Sequence, residues 1–128
     1  AFIKKYKLEN QIIFLNIKDT KTLSMIYRKS RGLVYPSIDE GFGIPIIEAM
    51  YSSIPVITSN NSIFQEIGGE DSYYFEQNNI NSLIEQIKQI WNKSEERTKR
   101  IQLNLNYVRK FDEEKQAKEI IKLYMELS

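Results

Sequence analysis

The sequence predicts an α/β domain: a parallel sheet of about four short strands with helices packed against it. Three observations predict it. Short β-rich apolar runs alternate with segments of helical apolar period, as in βαβ units. The 128 residues, 41% of them apolar, suffice for one core and not for two. A glycine-bearing loop follows one of the apolar runs and opens onto a proline suited to a helix start.

The runs that read as strands are Ile12 to Leu15, Leu33 to Tyr35, Pro55 to Thr58 and Tyr73 to Phe75, each flanked by turn or polar residues. Between the first two, Asp19 or Thr20 caps a helix whose Leu23, Ile26 and Tyr27 fall on one stripe. A second helix opens at Pro45 and runs to about Ser52. After the last strand, Ile80, Leu83, Ile84, Ile87, Ile90 and Trp91 mark one amphipathic helix, and Ile101, Leu105 and Val108 mark another. Asp112 is positioned to cap a final helix carrying Ala117, Ile120, Ile121 and Tyr124 on one face. No repeat, low-complexity tract or linker divides residues 1–128, so one domain is expected.

Composition narrows the chemistry. Eighteen basic against seventeen acidic residues give a net charge of +1, too little to hold a nucleic acid by bulk electrostatics, so no nucleic-acid partner is expected. Cysteine and histidine are absent, which excludes disulfides, thiolate nucleophiles, imidazole acid–base chemistry and the usual zinc ligands. Carboxylates, hydroxyls and backbone amides remain. No run approaches the ~18 to 20 apolar residues of a membrane span, and Ala1 to Asn10 lacks a signal-peptide core. A cytoplasmic location is expected, with any membrane association supplied by parts outside the chain.

The most informative stretch runs from Pro36 through Glu40-Gly41-Phe42-Gly43-Ile44-Pro45 to Glu48-Ala49-Met50. It follows a strand and opens a helix, at the sheet edge where open parallel sheets bind ligands, and a helix N-terminus there offers N–H groups and partial positive charge. Gly41 and Gly43 permit positive φ and close approach, so the amides of Phe42, Gly43 and Ile44 can face a phosphate. Glu40 precedes the helix and Glu48 lies one turn inside it; both carboxylates suit sugar hydroxyls.

The strand ending Pro36-Ser37, the Glu40-Gly41-Phe42-Gly43-Ile44 loop and Glu48-Ala49-Met50 resemble the E-x7-E motif of retaining glycosyltransferases of family 4, the "group 1" transferases with two Rossmann-like domains (the GT-B fold). Ile54 to Ser59 is similar to the family's next strand, Phe64 to Asp71 to the segment leading to its last strand, and Phe111-Asp112 with Ala117 and Tyr124 to its closing helix. The resemblance implies the donor-binding C-terminal domain of an enzyme that transfers a sugar from a UDP- or GDP-sugar with retention, without metal or other cofactor. It implies that Glu40 is the catalytic-site acid facing the donor sugar. The amides of Phe42, Gly43 and Ile44, in the loop with Gly41, hold the diphosphate, Glu48 binds the ribose, and Asn16, Ile17 and Lys18 lie near the base.

The sequence departs from the family at Asn16, where glycine is common and asparagine is the next-best residue for a left-handed turn. It departs again at Ser52-Ser53, where Ala and Cys or Ala and Gly are common, a small-for-small change expected to matter little. The family's sheet has strand order 3-2-1-4-5-6, and the four runs correspond to its third to sixth strands. The implied partners are then the nucleotide-sugar donor and an N-terminal acceptor domain of the same protein. The first two strands and the basic phosphate clamp would lie before Ala1, and these residues alone would be inactive. The edge of the Leu33 strand would be open to pairing with another chain.

Two other readings compete. A non-catalytic flavodoxin-like interaction module, such as a signalling receiver, needs an acidic cluster after its first strand, and Ile17-Lys18-Asp19 does not supply one. A nucleotide-sugar epimerase of the same architecture is expected to carry histidine, which is absent. Ser59, Asn60 and Asn61 read as turn residues, Lys18 and Lys21 as solvated side chains, and the tyrosines and Trp91 as core or interface bodies with polar tips. Glu66 reads equally as a brace for the loop or as the cap of a short helix.

Overall fold

The computed structural model describes residues 2–36 and 43–127. In chain order the elements are α1 (Phe2–Lys5), α2 (Thr20–Lys29), β1 (Leu33–Tyr35), α3 (Ile44–Tyr51), β2 (Val56–Ser59), α4 (Ser62–Gly68), β3 (Tyr73–Phe75), α5 (Ile80–Trp91) and α6 (Glu95–Leu127). The strands form a parallel sheet of order β1-β2-β3, pairing Leu33 with Val56, Tyr35 with Thr58 and Ile57 with Tyr73. Central β2 is buried along its whole length, as a parallel strand covered on both faces should be. The period of two sends Val56 into a core with Ile46, Met50, Phe64 and Val108, while Ile57 joins Tyr73, Phe75 and Ile90 under α5 on the other face.

The expected first strand is a correction. Residues 12–15 form no strand, and Ile13 and Phe14 are 77% and 83% exposed. A strand exists only through its ladder partners. None of the described strands pairs with this run: β1 is bonded to β2, and β2 to β3. The sheet therefore has three strands where the sequence suggests four, and β1 lies at its edge.

The final two helices are a second correction, because α6 is one continuous helix of 33 residues, about 50 Å at 1.5 Å per residue. Glu95 and Glu96 favour its start and the Ser94 hydroxyl accepts from Arg97 N–H. No glycine or proline interrupts it near Asp112. The Asp112 carboxylate caps nothing; it accepts a bond from the Tyr51 hydroxyl at 3.0 Å and ties α6 to the end of α3. Trp91 is likewise no core residue: it is 58% exposed, with the Arg31 guanidinium 4.7 Å from its ring centre.

Two caps behave as the chemistry requires. Asp19 accepts from Thr22 N–H at 2.7 Å and from its hydroxyl at 2.8 Å, and these bonds hold its carboxyl below the ordinary value of 3.8. A lowered folded pKa means that the cap contributes fully above 3.8 and is lost as pH falls through the depressed value; backbone amide shifts of Thr20 to Thr22 followed against pH would show it.

At the end of α3, Ile54 N–H reaches Ala49 C=O and Ser53 takes φ 59°, the left-handed position of a Schellman motif. The residue type at 53 therefore matters more than its size suggests. Ser53→Gly is expected to stabilise the chain by about 1 kcal/mol, seen as a rise of several degrees in Tm; an unchanged or lower Tm would contradict the strain argument.

The turn between α4 and β3 is held from α6. Arg100 donates to the carbonyls of Asp71 (3.0 Å) and Ser72 (2.9 Å), with its guanidinium 3.7 Å from the Tyr73 ring centre. Buried Asn104 donates to the Ser72 hydroxyl at 3.1 Å, which donates to Gly68 C=O at 2.6 Å, and the Tyr107 hydroxyl donates to Glu66 C=O. The Tyr74 hydroxyl donates to Gly69 C=O at 2.6 Å, and burial pushes its pKa up to about 12.

Candidate functional site

The candidate site lies where β1 and β2 end and α3 begins. Gly43 is the N-cap of α3 with φ 55°, a left-handed conformation, so one of the two glycines singled out in the loop has the backbone geometry that needs it. A Cβ there would also stand 2.9 Å from Ile67 Cδ1 on α4, so helix and loop meet closely. Pro45 occupies the first turn, and Ile46 and Ile47 N–H both donate to Gly43 C=O, at 3.0 and 3.3 Å. Of the amides nominated for an anion, those of Gly43 and Ile44 fall at this described helix start.

The remaining nominated residues divide three ways. Glu40, Gly41 and Phe42 lie outside the described residues. Glu48 lies one turn into α3 and is half-buried; its carboxylate acts on Tyr27 of α2, whose hydroxyl is raised in pKa by burial first and by that charge second. Asn16, Ile17 and Lys18 form an irregular segment ahead of the Asp19 cap, with Asn16 and Lys18 exposed and Ile17 half-buried. Asn16 does not take the left-handed conformation suggested for it, since the positive-φ residues other than glycine are Lys7, Ser53 and Asn78 among the described ones.

β2 and α4, which both contact α3, carry further bonds. Thr58 donates its hydroxyl to Tyr35 C=O at 2.9 Å, Asn60 N–H donates to Phe75 C=O at 3.1 Å, and the Asn61 side chain caps α4 by accepting from Phe64 N–H at 2.8 Å. Asn60 and Asn61 are thus turn and cap residues. Glu66 sits inside α4 rather than at its cap. A strand-end threonine carries no signal in the sequence, whereas the Asn61-Ser62 start could have been found as an N-cap.

This arrangement of strand, glycine N-cap, proline-started helix and half-buried carboxylate sits in a chain whose residues 1–104 match the family Glycosyl transferases group 1. The chain belongs to that family. This group 1 domain is 39% identical over 106 residues to the O-antigen chain mannosyltransferase RfbU of Salmonella typhimurium, covering 83% of this chain and 29% of RfbU. It therefore spans less than a third of that relative's length. Among solved structures it resembles the sucrose-phosphate synthase of Thermosynechococcus elongatus, with TM-score 0.84 and 26% identity over 98% of this chain and 32% of the synthase. It also resembles the C-terminal domain of a group 1 glycosyl transferase, LpcC, from Francisella tularensis, with TM-score 0.73 and 29% identity over 85% of this chain and 57% of that one. The fold is that of GT-B glycosyltransferase domains.

Proposed function

We propose that the group 1 domain binds the nucleotide-sugar donor of a longer retaining hexosyltransferase of family 4. The observation that carries the reading is α3 itself: a left-handed glycine N-cap, Ile44 at its first position and half-buried Glu48 one turn deeper, at the carboxyl edge of a parallel sheet. In this reading the amides of Gly43 and Ile44, with that of Phe42, receive the diphosphate, and Glu48 accepts from the ribose hydroxyls. Glu40 faces the donor sugar, and Asn16 to Lys18 border the base. The name of the RfbU relative favours a mannosyl unit. The donor is a substrate, the acceptor side is an N-terminal domain, and no resident metal or cofactor is invoked.

The mechanism asked of these residues is binding and orientation. Backbone amides at a helix start need no reorganisation to meet a diphosphate, and they stabilise the charge that grows on the leaving nucleotide as the glycosidic bond breaks. A carboxylate on the ribose and another on the sugar fix both ends of the donor, so the anomeric carbon is presented in one orientation. The test is a panel of UDP- and GDP-hexoses, GDP-mannose included, offered to the full-length protein, with nucleoside diphosphate release measured and the anomeric configuration of the product read by NMR. Release from no nucleotide-sugar would overturn the donor reading, and inversion would overturn the family 4 assignment.

A further inference from the structure

We infer that the face where α2 and α5 end and α6 begins docks on a lipid surface of anionic headgroups, with Trp91 as its interfacial anchor and Lys29, Lys88 and Lys93 as the charges that hold it. None of these residues belongs to the proposed donor site, and the inference does not rest on the donor reading.

The face is fixed by contacts between its three segments. Arg31 and Gly32 join α2 to the start of β1, so the face lies at the amino edge of the sheet. The Arg31 guanidinium donates to Trp91 C=O at the end of α5 and stands 4.7 Å from the centre of the Trp91 ring. Arg97, in the first turn of α6, donates to Ile90 C=O at 3.1 Å and to Arg31 C=O at 2.8 Å. Gly32 fits so closely that a Cβ there would stand 2.6 Å from Ile90 Cδ1.

Its charge is out of proportion to the chain. Residues 28–31 and 85–100 carry eight of the eighteen basic side chains and three of the seventeen acidic ones, a net of +5 where the whole chain is +1. The remainder is net acidic, so a negatively charged surface is drawn to this side. Compensation of helix C-termini accounts for part of the excess, since Arg31 and Arg97 are engaged by the carbonyls named above. Lys29, Lys88 and Lys93 are exposed, and the ion pair among the described residues, Arg100 with Glu96, involves none of them. Lys93 also shares a shallow depression with Ser94, Glu95, Thr98 and Lys99.

Trp91 favours lipid over other polyanions. It is the chain's single tryptophan and is 58% exposed, beside an Ile90 that is buried. An indole has an apolar body and a polar N–H, which suits the boundary between headgroups and acyl chains, and cations around it suit the headgroup phosphates. A nucleic acid fits less well, because a long polyanion extends past the face toward the net acidic remainder.

The test is sedimentation of the full-length protein with vesicles of phosphatidylcholine, alone or with about one-third phosphatidylglycerol. Binding is expected to be at least about tenfold tighter to the anionic vesicles and to weaken as salt is raised. Lys29→Glu, Lys88→Glu and Lys93→Glu combined should reduce it roughly a hundredfold, and the same three changed to Arg should stay within about threefold of wild type. Trp91→Ala should reduce it roughly tenfold. No binding to either vesicle, equal binding to both, or full retention by the Glu variant or by Trp91→Ala would overturn the inference. So would tighter binding to a double-stranded DNA fragment than to the anionic vesicles. An unchanged Tm shows that the Glu variant is folded; if it is not, the three Lys→Gln changes are read in the same way, and failure of both to fold would also overturn the inference. Sedimentation needs no donor, so its outcome and that of the donor assay are read separately.

Discussion

Replacing the two loop-and-helix carboxylates one at a time in the full-length protein should give opposite signatures. Glu40→Ala is expected to reduce turnover by roughly 10²-fold or more while leaving affinity for free GDP or UDP nearly unchanged. A group that touches only the sugar makes no contact with the free nucleotide, so its loss appears where the sugar is being transferred. Glu48→Ala is expected to weaken the free nucleotide by roughly 1.5 to 3 kcal/mol, the range for a hydrogen bond to a charged group. Glu48 is half-buried on the well-packed α3, whose Ile46, Ala49 and Met50 are fully enclosed, so the helix should survive the change. Isothermal calorimetry with GDP and UDP, set beside the rate of donor turnover, distinguishes the two. Equal effects of both variants on nucleotide affinity would refute the division of roles.

The legibility of this domain in its sequence follows the range of the interactions. Local signals were readable: β1 and β3 as short apolar runs, α2 from Asp19 and its stripe, α5 from its period, and α3 from Pro45, one residue inside its observed start at Ile44. Pattern alone does not reveal whether a run has a neighbour to pair with. Ile12 to Leu15 is as β-competent as Leu33 to Tyr35, and only the second finds a partner. The helix break at Asp112 failed for a related reason, since an aspartate is a cap only if the chain turns there, and Tyr51 on α3 supplies an alternative for its carboxylate.

Near the proposed site, the positive φ at Gly43 and the place of Glu48 one turn into α3 follow from residue type and spacing along one helix. Bonds between segments distant in the chain do not: Thr58 to Tyr35 spans 23 positions, and Arg100 to Asp71 spans 29. Such bonds depend on the register between elements, which a single sequence does not specify.

Arg100 should be the most costly of these side chains to lose. Its guanidinium donates to two carbonyls in the α4 to β3 turn and lies over Tyr73, and Ser72, one of the two acceptor residues, is 1% exposed. Arg100→Ala removes the charge-assisted bonds together and leaves a buried carbonyl short of a donor, so a loss of about 2 to 4 kcal/mol is expected, a large part of the stability of a domain this size. Arg100→Lys should recover little, because one ammonium cannot reproduce the planar fork that spans both carbonyls. The Glu96 contact is a minor part: the pair is 4.0 Å apart with Glu96 largely exposed, and Glu96→Gln should alter stability by less than about 0.5 kcal/mol. Chemical denaturation of the three variants measures this directly, and a loss under about 1 kcal/mol in Arg100→Ala would show that the turn holds itself. The effect should also reach the site. The turn fixes the C-terminal end of α4, Ile67 near that end packs against Gly43, and Gly43 sets the start of α3. A milder Arg100→Lys protein that still folds should therefore bind free nucleotide more weakly than wild type, although residue 100 lies on a helix that contributes no group to the proposed donor site.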